Sequence, residues 1–172
     1  IGQDTLISRT INIAKSSKYI QKVFVSTDSE KIAEISKSLK SEVIKRPSEI
    51  SDDHSSSESA LIHALNEMKM NKYHPGLTVF LQCTSPFTTT NDIDGAIEKL
   101  CSGYYDSVFT ATSFHHFIWG KNNNTAIGIN HNHKKNRIRR QELAEQWLET
   151  GSVYVFNTKE FLKKKLDFLG KS

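Results

Sequence analysis

Apolar residues recur along this chain at two spacings, and the alternation between them marks out its elements. Over residues 5–17, Leu6, Thr10, Ile13 and Ala14 fall near one face of an amphipathic helix. Residues 22–26 are rich in β-branched and aromatic side chains and predict a strand. Thr27 and Glu30 stand three apart as a capping box, opening a helix that carries Ile32, Ile35 and Leu39. A short strand follows at 42–45. Ser55 and Glu58 form a second capping box before a helix with Leu61, Ala64, Leu65 and Met68 on one side. Leu77 to Gln82 is an almost uniformly apolar strand, as expected where helices cover both faces. Asn91 predicts the cap of a helix carrying Ile93, Ile97 and Leu100, and 107–111 predicts the next strand.

Strand and helix thus alternate four times, which predicts an α/β fold with a mostly parallel sheet and helices on both faces. The later part differs. Residues 117–119, 125–130 and 152–157 read as strands joined by Asn-rich turns such as Asn122-Asn123-Asn124, and 141–148 reads as a short helix. These predict a small antiparallel excursion, an arm over 113–150, within a single domain over 1–172. The first element is a helix, whereas a sheet of this type usually opens with a strand whose following loop receives phosphate. That loop is expected just before Ile1, outside these residues.

A length of 172 residues suits one domain with a real core, and 37% hydrophobic with 24% charged residues is ordinary for a soluble protein. No apolar run approaches the roughly 20 residues of a membrane helix, and no secretory signal is visible, so no membrane partner is expected. Cys83 and Cys101 lie beside apolar residues and read as two buried free thiols in a reducing cytoplasm. The net charge of +4 says little about partners. Its one dense cluster, Lys134-Lys135-Asn136-Arg137-Ile138-Arg139-Arg140, suits a solvated face, an anionic substrate, a nuclear localisation signal or nucleic acid. The absence of interleaved aromatics argues against nucleic acid.

Ligands of open α/β sheets gather at the carboxyl ends of the strands. Three segments there carry polar groups. Ser26-Thr27-Asp28 reads as helix capping or as support for a ligand. The loop from Arg46 to Ser57 has one guanidinium and ends on a helix N-terminus, a pairing suited to phosphate; the alternative is a solvated loop with Arg46 paired to Glu49. Gln82-Cys83-Thr84-Ser85-Pro86 brings polar groups to the end of a buried strand, where they must bond backbone or ligand. His115 and His116 would point to opposite faces of a strand and make a poor chelating pair, while His131 and His133 read as solvated. No metal ligand is assigned within the chain.

Read in order, these segments resemble the N-acylneuraminate cytidylyltransferases. The matching stretches are Val25 to Asp28, Arg46 to Glu49, Asp53 with Ser55-Ser56-Ser57, Leu81 to Pro86, Asp92-Ile93-Asp94, Tyr105 to Val108, and Arg139-Arg140-Gln141 followed by Gly151 to Tyr154. The Leu-Gln-x-Thr-Ser-Pro segment is the most specific of them, and the colinear likeness runs over nearly the whole chain.

The resemblance implies a Rossmann-like nucleotidyltransferase sheet with a dimerisation arm. It also implies transfer of CMP from CTP to the anomeric hydroxyl of a sialic-acid-like keto-sugar acid, with pyrophosphate leaving. By matched position, Arg46, Ser55, Ser57, Thr84 and Ser85 would line the nucleotide, and Gln82, Arg140 and Thr150 the sugar acid. No catalytic residue is assigned. Mg2+ is implied as cofactor, with its protein ligands expected outside this chain, and a homodimer is implied because the arm crosses to a partner subunit. The compartment implied is the cytoplasm, or the nucleus for an animal-type protein. Three departures stand out. The family's phosphate loop and its C-terminal acidic motif do not occur within these residues, and Thr150 stands where the family has asparagine. The expectation is therefore an incomplete enzyme that does not turn over alone, the alternative being a non-catalytic nucleotide-binding or dimer-forming relative.

Overall fold

The computed structural model describes residues 2, 4–135, 139–142 and 144–164. Two compact units emerge, one formed by residues 1–110 with 151–172 and the other by 111–150.

The first unit opens with α1 (Leu6–Ser16), which Thr5 caps by accepting from the Ser8 amide. Ile11 and Ala14 are its buried positions, so the inward face is centred one residue away from the predicted one, and Leu6 stays exposed. β1 (Phe24–Thr27) and β2 (Glu42–Lys45) pair in parallel, joined by α2 (Glu30–Ser38). Ser29, not Thr27, caps α2. Thr27 is the last residue of β1, and its hydroxyl instead accepts from the Ser29 amide at 3.1 Å.

α3 (Ser57–Met70) is capped by Ser56 rather than Ser55, because the Ser55 hydroxyl is turned back onto Asp52. α4 (Thr90–Cys101) carries a true capping box between Thr89 and Asp92, and Asn91 lies inside the helix. Each of these corrections moves the cap by one or two residues. Ser, Thr and Asn all accept amide bonds, so composition alone does not choose among neighbours.

β3 (Leu77–Leu81), β4 (Ser107–Phe114) and β7 (Gln146–Asn157) form a sheet in the order β3-β7-β4, with β7 antiparallel to β3. β7 alternates with period two. Val153 and Val155 pack under Ile93, Ala96, Ile97 and Leu100 of α4, while Phe156 packs with Leu61 and Leu65 of α3 and Phe161 of α5 (Thr158–Lys164). Helices thus cover both faces of this sheet, as the apolar run of β3 predicts. At roughly 1.5–3 kcal/mol per fully buried aliphatic side chain, these residues supply much of the folding free energy. Among the described residues β1 pairs only with β2 and β3 only with β7, so each of the two is an edge strand.

The second unit contains the hairpin of β5 (Trp119–Asn122) and β6 (Thr125–Gly128). Its two-residue turn has φ of +44° at Asn123 and +64° at Asn124, the left-handed pair that matches strand twist and that asparagine tolerates. Among the described residues of 141–148 the predicted helix is not formed. Arg140–Glu142 makes a single 3-10 turn, and Gln146 onward is already strand. Gln146-Trp147-Leu148 begins the strand whose later half is apolar and deeply buried, and the tertiary setting of that strand overrides local propensity.

Neither histidine pair behaves as its sequence reads. His115 and His116 lie outside any strand with their rings stacked at 4.7 Å. His131 and His133 are half-buried rather than solvated, and His133 Nδ1 accepts from the Gly128 amide at 2.9 Å. Both thiols are free, but Cys101 is exposed and Cys83 only half-buried. Among the described residues no helix is long and apolar enough to cross a membrane.

Candidate functional site

The carboxyl ends of β1, β2 and β3 carry the candidate site. At the first two, Arg46 continues the ladder by donating its amide to the Thr27 carbonyl at 2.9 Å. Its side chain then meets Asp28, with Nη2 and Oδ1 3.9 Å apart. That pairing is loose, and Glu49 is not the partner. Arg46 Nε is buried and has no hydrogen-bond partner among the described residues, and the Ser26 hydroxyl in the adjacent strand is in the same condition. An orphaned buried donor on a guanidinium costs free energy that a bound anion would recover.

The loop after β2 folds on itself through Asp52. Its Oδ1 accepts from the Ser55 hydroxyl at 2.6 Å and from the His54 amide at 3.1 Å. These bonds, the Ser55 hydroxyl first, hold the Asp52 carboxyl below the usual carboxylate range. Ser55 therefore spends its donor within the protein and keeps only acceptor lone pairs for a base or ribose. Ser57 is the first residue of α3, where amides without intrahelical partners point out of the helix.

At the end of β3 the chain makes a tight turn. The Gln82 amide donates to the Ser152 carbonyl, and the Ser85 amide returns to the Gln82 carbonyl, each at 3.2 Å. The Ser85 carbonyl is held by the Thr88 hydroxyl at 2.9 Å. The Ser85 hydroxyl reaches the Gly151 carbonyl only at 3.5 Å, and Thr84 is exposed. Gly151 has φ +66°, and a Cβ built there would lie 3.5 Å from Gln82 Oε1. Gln82, Ser85 and Gly151 thus form one cluster.

Among the described residues no hydrogen bond links Arg46, Ser57 and Gln82; what they share is their position after consecutive strands of one unit. Thr150 is an exposed residue of β7 in the second unit, and the backbone of Arg140 lies in that unit's 3-10 turn while its side chain falls outside the described residues. Sequence reasoning missed Asp52 as the anchor of Ser55 and missed Arg9, which bonds the Pro86 carbonyl. Neither belongs to a spacing pattern. Among the described residues no three His, Cys, Asp or Glu side chains come together as a metal site.

Solved structures share this fold. One is a CMP:2-keto-3-deoxy-manno-octonic acid synthetase complexed with CTP, at 13% identity and TM-score 0.64, with 94% of this chain and 68% of that one aligned. Another is a 4-diphosphocytidyl-2C-methyl-D-erythritol synthase from Anaerococcus prevotii, at 12% identity and TM-score 0.64, covering 96% and 65%. The fold is thus Rossmann-like and of the nucleotidyltransferase type.

The profile of the cytidylyltransferases matches residues 1–164, and the chain belongs to that family. Similar proteins include N-acylneuraminate cytidylyltransferase A of Danio rerio, 30% identical over 94% of this chain and 37% of that protein. The pseudaminic acid cytidylyltransferase of Campylobacter jejuni is 26% identical over 95% and 72%. The chain spans 35 to 40% of the length of its animal and streptococcal relatives.

Proposed function

We propose that the protein carrying this chain transfers CMP from CTP to the anomeric hydroxyl of a sialic-acid-like keto-sugar acid. The hydroxyl oxygen attacks the α-phosphorus, the bond from that phosphorus to the bridging oxygen breaks, and pyrophosphate leaves with the electron pair while the hydroxyl proton is lost. The observation that carries the reading is the buried Arg46 Nε at the carboxyl end of β2, without a hydrogen-bond partner among the described residues, in a chain of the cytidylyltransferase family. Arg46 and the amides at the start of α3 bind the nucleotide. Ser55 and Ser57 lie against base and ribose, Thr84 and Ser85 form the floor between the two substrates, and Gln82 bonds the sugar acid. Among the described residues no three His, Cys, Asp or Glu side chains come together, and no step is assigned to magnesium.

A second copy of the chain is the proposed partner, docking on the second unit, where Trp119, Ile129, Trp147 and Leu148 are exposed. Trp147→Glu should then shift the full-length protein from dimer to monomer by light scattering, and an unchanged mass would remove Trp147 from the interface. The two free thiols suit a reducing compartment, cytoplasmic or nuclear.

The test is pyrophosphate release by the full-length protein from CTP and a panel of keto-sugar acids. Arg46→Ala should weaken CTP by about 10- to 150-fold, the worth of one charged hydrogen bond of roughly 1.5–3 kcal/mol. Gln82→Ala should impair use of the sugar acid more than that of CTP. Release no faster with CTP than with ATP would defeat the proposal.

A further inference from the structure

α1 is fastened to the segment that follows β3 by three side-chain bonds, each joining residues 77 apart. Arg9 Nε donates to the Pro86 carbonyl at 2.5 Å, the Thr90 hydroxyl to the Ile13 carbonyl at 3.1 Å, and the Ser17 hydroxyl to Asp94 Oδ1 at 2.5 Å. The last two bind helix to helix, α1 to α4. The first is different in kind. It reaches past the start of α4 to the carbonyl of Pro86, the residue after the Gln82–Ser85 turn.

Arg9 is half-buried, and among the described residues no carboxylate pairs with its guanidinium. Placing a charged group there to serve one carbonyl is costly unless that carbonyl must be held. Pro86 has no amide hydrogen, so its own backbone offers the turn one fewer bond. The Gln82 amide ties the start of the turn to the Ser152 carbonyl at 3.2 Å. Beyond it the other ties are local or long: the Ser85 amide to the Gln82 carbonyl at 3.2 Å, the Thr88 hydroxyl and amide to the Ser85 carbonyl at 2.9 and 3.3 Å, and the 3.5 Å Ser85 hydroxyl contact.

We infer that Arg9 is a positioning residue for the substrate-binding turn, clamping Pro86 so that Gln82, Thr84 and Ser85 keep one arrangement. This rests on the reading above that the turn meets the sugar acid. The chemistry asks for a long, planar donor. Lysine can reach the same carbonyl, but as a single flexible point charge rather than a fixed fork.

The test uses the full-length protein with Arg9→Met, Arg9→Lys and Gln82→Ala, and has two readouts. Hydrogen exchange reports the turn itself. Arg9→Met should speed exchange at the Ser85 and Thr88 amides while leaving Ile93 and Ala96 in α4 slow, and Arg9→Lys should restore part of the protection. Unchanged exchange, or equal acceleration throughout the unit, overturns the clamp. Steady-state rates with CTP and N-acetylneuraminate, or pseudaminic acid where it turns over faster, report the consequence. Arg9→Met should raise the sugar-acid KM on the order of tenfold, as misplacement of a binding group does, with the CTP KM unchanged. If Gln82→Ala raises that KM and Arg9→Met does not, the positioning role is overturned. If Gln82→Ala has no effect, the reading of the sugar site fails, and exchange at Ser85 and Thr88 still decides whether Arg9 holds the turn.

Discussion

Gly151 holds its backbone at φ +66°, and a methyl group added there would rest 3.5 Å from Gln82 Oε1. Gly151→Ala therefore changes two things with separable sizes. The left-handed backbone costs an L-residue roughly 1–2 kcal/mol. For a domain of this size, each kcal/mol corresponds to about 2–4 °C in Tm. The 3.5 Å contact is ordinary van der Waals packing and adds no clash; if Gln82 bonds the sugar acid as proposed, the methyl beside Oε1 narrows access to that oxygen. Losing one neutral hydrogen bond is worth about 0.5–1.5 kcal/mol, a rise of about 2- to 13-fold in the sugar-acid KM. Gly103 supplies the control, since its φ is +89° and nothing lies within 4 Å of a built Cβ. Both variants should lose a few degrees in thermal unfolding, and only Gly151→Ala should raise the sugar-acid KM with the CTP KM unchanged. Equal KM values in the two variants would show that Gln82 Oε1 does not face the substrate.

The core and caps give sharper stability tests. Ile93, fully buried against Val153 and Val155, should cost about 2–5 kcal/mol on change to Ala, read as a lower urea midpoint at constant m; a loss below about 1 kcal/mol would deny it the centre of the core. Thr89→Ala should cost about 1 kcal/mol and Asn91→Ala little, because the cap lies at Thr89; the reverse order would restore Asn91 as the cap. Asp52 is held deprotonated by Ser55 and the His54 amide, so its contribution to stability is present above the ordinary carboxylate range and is lost as pH falls through the lowered folded value. Ser55→Ala should move the Asp52 titration upward by NMR, and an unmoved titration would remove that bond from the loop.

How far the sequence carries can be judged from particular residues. β3 and the α4 helix were legible because their signals are long: a continuous apolar run that only a doubly covered strand needs, and Ile93, Ile97 and Leu100 at helical spacing. Caps were misplaced by one or two positions because Ser, Thr and Asn are near-equivalent acceptors, and the winner is decided by which hydroxyl is already engaged. Ser55 lost the cap of α3 to Ser56 by bonding Asp52. The strand from Gln146 was read as helix because its first residues, Gln146-Trp147-Leu148, carry no alternation that marks a strand locally. At the site, Gln82 and Arg46 could be picked out as polar residues following apolar strands, whereas Arg9 sits in a helix 77 residues from its partner, and no periodicity points across that distance.

The site inherits its order from β7. That strand is buried on both faces at Val153, Val155 and Phe156, so its backbone is among the least free in the unit. Two residues earlier the same backbone takes up the turn after β3: the Ser152 carbonyl accepts the Gln82 amide, and Gly151 lies against the Gln82 side chain. β7 is antiparallel to β3, so its deeply packed end and its site end are two parts of one rigid rod, and the carboxyl end of β3 meets the latter. A core variant such as Ile93→Val, which trims one methylene above Val153 and costs about 0.5–1.5 kcal/mol, should therefore loosen the Gln82 amide in hydrogen exchange before it loosens Arg46, whose amide is tied to β1. Equal loosening at Gln82 and Arg46 would mean that the two strand ends draw their order from a common source rather than from separate sheets.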